Sequence, residues 1–281
     1  MNPHLSLDPS ADLSQLLAYP FMVNALEAGT VVALMAAVTG WFMVLRRQSF
    51  AGHTLAITSF PGASGAALAG IPLAAGYFVS CAVAALSIAV GSRGREGRDP
   101  SQESAVIGTV QVAGLALGFL FLSLYNGVLE DLESLLFGSF LGITRGQVLT
   151  HAGVAAAALV FFAAAGRPLL SASVDPVAAR ARGVSVRLLE PAFLLVLGLA
   201  VAATAQITGV LLVFALLVAP PAAAQRLTAR IPLGLLLSVL IALAVTWLGL
   251  ALSYFTNYPI GFFVPTLGLA AYAAASLADA A

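Results

Sequence analysis

The sequence predicts an all-α, polytopic integral membrane protein, a bundle of about nine transmembrane helices with its N-terminus outside and its C-terminus in the cytoplasm. Three observations lead there. Of the 281 residues, 60% are hydrophobic and only 9% are charged, whereas a soluble domain carries about 25% charged residues. The apolar residues recur in blocks of roughly twenty, the length a helix needs to cross hydrocarbon. Those blocks are continuous and rich in Ala and Leu, without the alternation of barrel strands, and only helices or closed barrels satisfy their backbone in lipid.

Taken in order, the predicted spans cover 21–45, 53–70, 71–91, 103–125, 147–166, 191–206, 207–224, 231–255 and 261–277. Pro61 interrupts the second, because it cannot donate to the carbonyl of Ile57. That carbonyl is left to water, to a hydroxyl such as Thr54 or Thr58, or to an ion. Pro220 and Pro221 are expected to break the seventh span near its cytoplasmic end, as a helix stop or a hinge. Small residues recur at four-residue spacing, as Gly29, Ala33, Ala37 and as Gly62, Ala66, Gly70, which lets helices approach closely in lipid. Residues 1–20 form an external tail and 21–281 a single transmembrane domain.

Orientation follows from the arginines. Arg46 and Arg47 follow the first span, Arg93, Arg95 and Arg98 the third, Arg167, Arg180, Arg182 and Arg187 the fifth, and Arg226 and Arg230 the seventh. With alternating crossings all eleven fall on one side, the cytoplasm, and only Arg145 of the 12 falls opposite. Asp8, Asp12, Glu130, Asp131 and Glu133 then lie outside, the last three as an acidic rim able to attract cations or a delivery protein. Tyr254 and Tyr258 read as interface anchors, and His151 as interfacial at the outer start of the fifth span.

Composition also excludes functions. Net charge is zero and no basic stretch suits nucleic acid. Cys81 is the single cysteine and forms no internal disulfide. No positively charged leader precedes the first span, so a signal peptide is not evident. Every one of the 12 cationic residues is Arg, so the chain lacks the lysine a P-loop needs to reach phosphates. An ATP-driven transporter built on this chain therefore takes its motor from another polypeptide. No nucleophile–base or paired-carboxylate arrangement suggests catalysis.

Candidate working residues are few. The cytoplasmic loop over about 171–189 holds Asp175, able to cap a short helix, Pro176 in its first turn, and Gly183 to end it. Such a helix is either a docking surface or a solvated linker. His53 enters the membrane at the second span and is a candidate metal ligand or proton-sensitive gate. Glu27 lies inside the first span toward its outer end, a candidate acidic ligand or electrostatic entrance.

The segments FMVLRRQSFAGHTLA (42–56), ESAVIGT (103–109), LFGSFLGIT (136–144) and GVLLVFALLVAPPAAA (209–224), with the loop 175–186, occur in one order along the chain. In that order they resemble bacterial ABC-type zinc and manganese permeases, over nearly the whole chain after about residue 20. The resemblance implies the permease subunit of an ATP-driven divalent-metal importer in the bacterial plasma (inner) membrane. It implies a homodimer with the pathway between the copies and no permanently bound cofactor. It implies a cytoplasmic ATP-binding subunit docked on the loop through Asp175, Arg180, Arg182 and Gly183, and an extracytoplasmic metal-binding protein. In the family an acidic residue early in the second helix and a His one turn later are thought to hold the ion. Here those positions are His53 and Ile57. Two copies of His53 facing each other across a dimer axis would give a two-His site completed by water or carboxylate. A permease for a chelated metal, siderophore or cobalamin-like compound stays open, as does a secondary transporter or channel.

Overall fold

The structure, a computed structural model, describes residues 14–92, 100–125, 142–209, 213–256 and 258–280. Among them the chain forms helices joined by turns: α1 Pro20–Leu45, α2 Ser49–Ala69, α3 Leu73–Ser92, α4 Pro100–Leu124, α5 Arg145–Val174, α6 Pro176–Ala181, α7 Val186–Thr208, α8 Val213–Leu227, α9 Ile231–Thr256 and α10 Ile260–Ala280. Seven of these helices, all but α2, α6 and α8, are long and apolar enough to cross a membrane. The acidic rim 130–133, the arginines 93–98, the 1–13 tail and much of 136–144 fall outside the described residues.

Local chemistry sets the helix ends. Thr144 and Gln147 form a reciprocal capping box at the start of α5, which satisfies two of its orphan donors. Gly70 closes α2 at φ 67°, with the Ile71 N–H donating to Ala66 O at 3.0 Å. The same six-to-one closure ends α1, where the Gln48 N–H donates to Met43 O at 3.0 Å. There the left-handed position is Arg47, at φ 57°, a conformation that costs an L-residue about 1–2 kcal/mol.

Four features differ from the sequence reading. α5 runs on through Pro168 to Val174, so 171–174 belong to a helix and the true connection begins at Asp175. At 30 residues it is about 45 Å long, well beyond a hydrocarbon core of about 30 Å. The predicted span 207–224 is not continuous: α7 continues to Thr208, and Gly209, at φ 79°, ends it. Pro220 and Pro221 do not break α8, which continues to Leu227 with both prolines buried inside it. Nor does Pro61 interrupt α2, which is helical on both sides of it.

At Pro221 a neighbouring helix closes over the gap. Pro221 cannot donate to Leu217 O, the carbonyl four residues back. That oxygen lies where a β-carbon on Gly40 of α1 would be, with Pro221 Cγ beside it. The missing side chain at Gly40 lets the α1 backbone cover the freed carbonyl, a close approach typical of membrane helices. At Pro61 the expected hydroxyl partners turn elsewhere. Thr58 Oγ1 donates to Leu55 O and Thr54 Oγ1 to Gln111 Oε1 of α4, both at 3.0 Å.

α1 is the hub. It packs on α5, α7, α8 and α9, and Ser238 Oγ of α9 donates to Ala37 O at 3.1 Å. Phe42 stacks on Phe162 of α5 at 4.7 Å. α2 packs on α3 and α4, where a β-carbon on either Gly62 or Gly76 would overlap the other's carbonyl oxygen. α3 joins this group to α7, and α8, α9 and α10 close the far side. Val79, Val112, Leu149, Val160 and Leu269 point outward, the apolar exterior that lipid requires.

Candidate functional site

The expected working residues lie in three places, a face at the start of α2, the first third of α1 and the connection from α5 to α7. His53 sits one turn inside α2 and is half-buried, with Ile57 beside it on the same stripe. Its ring meets Phe214 of α8 edge to face, centroids 5.0 Å apart. Its Nδ1 is buried without a hydrogen-bond partner among the described residues. A ligating histidine ordinarily has its other nitrogen held by a carbonyl or carboxylate; here an aromatic ring orients the imidazole instead.

Glu27 is exposed on α1. From it to the end of α1 is roughly 27 Å at 1.5 Å per residue, and α2 turns back from that end. Within one chain the two proposed ligands are therefore separated by roughly 20 Å along the bundle. Among the described residues no group of three or more His, Cys, Asp or Glu side chains converges. Among the described residues, one copy alone does not bring together a set of ligands for a divalent ion.

The connection after α5 folds as its residues dictate. Asp175 Oδ1 accepts from the N–H groups of Val177 and Ala178, each at 2.9 Å, and Pro176 occupies the first turn of α6. Gly183, at φ 83°, ends it, with the Val184 N–H donating to Ala179 O at 3.1 Å. Arg180 and Arg182 are exposed on this element. So are three apolar side chains that flank or sit on it, Val174 (83% exposed), Val177 (73%) and Leu188 (71%). Apolar side chains among arginines on a polar connection make a surface suited to a protein partner. Asp175→Ala is expected to loosen α6 by about 1 kcal/mol, the usual worth of a lost cap. Faster amide exchange over 177–181, with the rest of the bundle unchanged, is the measurement that checks it.

Arg46 ties together the junction of α1, α2, α5 and α7, though the sequence marks it only as one of the orienting charges. Its guanidinium lies 5.0 Å over the Phe193 ring of α7 and donates to Ser173 Oγ and Gln48 Oε1, each at 3.3 Å. Burial pulls its pKa below the ordinary arginine value, while Glu190 and Glu103 act in the opposite direction.

His151 is not interfacial. It is 1% exposed, with Nε2 2.9 Å from Ala203 O of α7 and Nδ1 against Gln147 O of its own helix. Ala155 and Ala158 of α5 pack with Ala200 and Ala203 of α7, and such small residues let the two helices close over the ring. It ties α5 to α7 beside a cavity of about 380 Å³ lined by Tyr77, Gln147 and Gln206. Its position near a predicted helix start concealed this, because which face of α5 meets α7 is a tertiary fact.

Comparison with known proteins places this arrangement. The profile of the ABC 3 transport family matches residues 18–278. The chain is 31% identical to the manganese transport system membrane protein MntC of Halalkalibacterium halodurans, over 80% of this chain and 76% of that protein. It is 29% identical to the chelated iron transport system membrane protein YfeC of Yersinia pestis, over 91% of this chain and 85% of that one. In structure it matches PsaBC from Streptococcus pneumoniae, solved in complex with Fab, with a TM-score of 0.82 and 25% identity over 95% of this chain and 94% of the other.

Proposed function

The chain belongs to the ABC 3 transport family, and from that premise we propose that it is the permease subunit of an ATP-driven importer of a divalent first-row metal cation. It is a multi-pass protein of the bacterial plasma membrane. The observation that carries this reading is a likeness to a manganese transport membrane protein joined to an exposed, capped helix, α6, on a chain with no lysine. Such a chain cannot reach ATP phosphates through a P-loop and presents a ready docking surface for a subunit that does.

Two copies enclose the pathway, with the N-terminus of each outside. The extracytoplasmic binding protein hands the ion to the outer mouth, where Glu27 attracts it. It then meets the paired His53 side chains, completed by water or carboxylate. Imidazole and oxygen ligands suit manganese, iron and zinc alike; the relatives' names put manganese first for testing. Binding is weak enough to release, because a permease that holds its cargo tightly does not turn over. The ATP-binding subunit docks on Asp175, Arg180, Arg182 and Gly183, and its ATP-driven closure rocks the two copies. Pro61, Pro220 and Pro221 lie inside the continuous helices α2 and α8, where each missing N–H bond lets the helix flex as the copies rock. A thin one-His shell per copy, together with the likeness to a chelated iron permease, favours one second reading, in which the cargo carries its own ligands.

Elemental analysis of cells lacking the chain tests the proposal. Cell manganese is expected to fall and to be restored by the unmodified chain, whereas His53→Ala restores about a tenth or less of the initial manganese uptake. Unchanged manganese, iron and zinc in the deletion strain would contradict it. Normal rescue by His53→Ala, with uptake only of a preformed chelate, would establish the second reading.

A further inference from the structure

Resting on the reading of the chain as an ATPase-driven permease, we infer that Arg46 is a positioning residue that makes the start of α2, and with it His53, move together with the α5–α6 junction. Arg46 follows the last residue of α1 and joins three other elements through one guanidinium. Nη1 reaches Ser173 Oγ on the last turn of α5, two residues before Asp175, whose carboxylate caps α6. Nε reaches the side chain of Gln48, the buried residue from which α2 starts. The cation's face rests on Phe193 of α7, itself fully buried.

Gln48 is fixed on both of its other sides. Its N–H donates to Met43 O at 3.0 Å and its carbonyl accepts from Gly52 N at 3.1 Å. It is the last link of α1 and the first of α2, and His53 follows Gly52 directly. A displacement of α6 carries Ser173 with it. The guanidinium passes that displacement to Gln48 and so to the first turn of α2. The contacts lie at fixed angles on one planar group, an arrangement the flexible, compact lysine ammonium does not reproduce. The turn itself is held in a costly conformation, Arg47 at φ 57°, as expected where local geometry serves a task beyond stability.

The test uses the complete transporter, two copies of the chain with its ATP-binding subunit and binding protein, in proteoliposomes. Manganese(II) uptake and phosphate release are measured together. Arg46→Gln is expected to keep the ATP-binding subunit at normal stoichiometry and to hydrolyse ATP. Manganese carried per ATP should fall about tenfold, the scale of losing charge-assisted hydrogen bonds. Arg46→Lys recovers part of the ratio, and Ser173→Ala lowers it by a smaller factor. A purely structural role would reduce both rates in proportion to folded complex and leave the ratio unmoved; that result overturns the inference. Should Arg46→Gln fail to assemble, Ser173→Ala decides: a lowered ratio supports the inference and an unchanged one ends it. Absence of ATP-dependent uptake by the unmodified complex overturns the permease reading, and this inference with it.

Discussion

Gly40→Val is expected to destabilise the protein by about 3 kcal/mol, the upper end of what overpacking a close-packed site costs. A β-carbon at Gly40 would overlap the Leu217 carbonyl oxygen and approach Pro221 Cγ to 3.0 Å. The first of these neighbours is backbone and the second a rigid ring, so neither can swing aside. Relief requires α1 and α8 to separate, which also uncovers the carbonyl that Pro221 leaves without a donor. An unsatisfied carbonyl in the membrane costs several kcal/mol more where no neighbour replaces the contact. Gly153→Ala is the control. A β-carbon there meets nothing within 4 Å, so the change should not destabilise and gains up to about 1 kcal/mol of helix propensity. Thermal unfolding in detergent, followed by scattering or dye accessibility, distinguishes the two, and equal behaviour would mean that the α1–α8 contact is not as described.

Val177→Asp is expected to weaken association with the ATP-binding subunit by about a hundredfold, some 3 kcal/mol, the scale of a central interface residue replaced by a charge. The side chain is 73% exposed, so removing it leaves no cavity in the chain itself. The new carboxylate sits in the first turns of α6, where the helix dipole tolerates it, so the fold of the isolated chain should not change. What changes is the desolvated surface offered to a partner. Binding measured by light scattering or pull-down with the purified subunit should fall, while thermal stability of the chain stays within about 0.5 kcal/mol. Undiminished binding would place the docking surface elsewhere.

The α5–α7 connection shows how far local chemistry reaches. Asp175, Pro176 and Gly183 spell a capped helix in the sequence, and the structure contains it, because caps and left-handed stops act within a few residues. The long apolar runs were equally legible, since bilayer thickness sets their length independently of partners. Pro220 and Pro221 were not. Considered alone they stop a helix, yet α8 continues through them because Gly40, far away in the chain, supplies the surface that covers the freed carbonyl. Pro61 likewise sits inside a continuous α2, with Thr54 and Thr58 turned to other partners.

The candidate site divides in the same way. His53 and Glu27 were visible as ionisable groups in apolar runs, but their separation along the bundle emerges only when α1 and α2 are laid antiparallel. Phe214 beside His53, and Ser173 and Phe193 around Arg46, depend on residues far apart in sequence and leave no local signal. The cation shell is least legible of all. Among the described residues no three His, Cys, Asp or Glu side chains of one chain converge, so spacing along the sequence carries no signal of it.

ATP-dependent manganese uptake by the reconstituted complex tests the central claim most directly. With the ATP-binding subunit, binding protein and internal ATP present, vesicles should accumulate manganese(II) in the absence of any imposed ion or proton gradient, and removal of the ATP-binding subunit should abolish it. Accumulation that persists without that subunit and follows an imposed gradient would contradict the account and identify a secondary carrier.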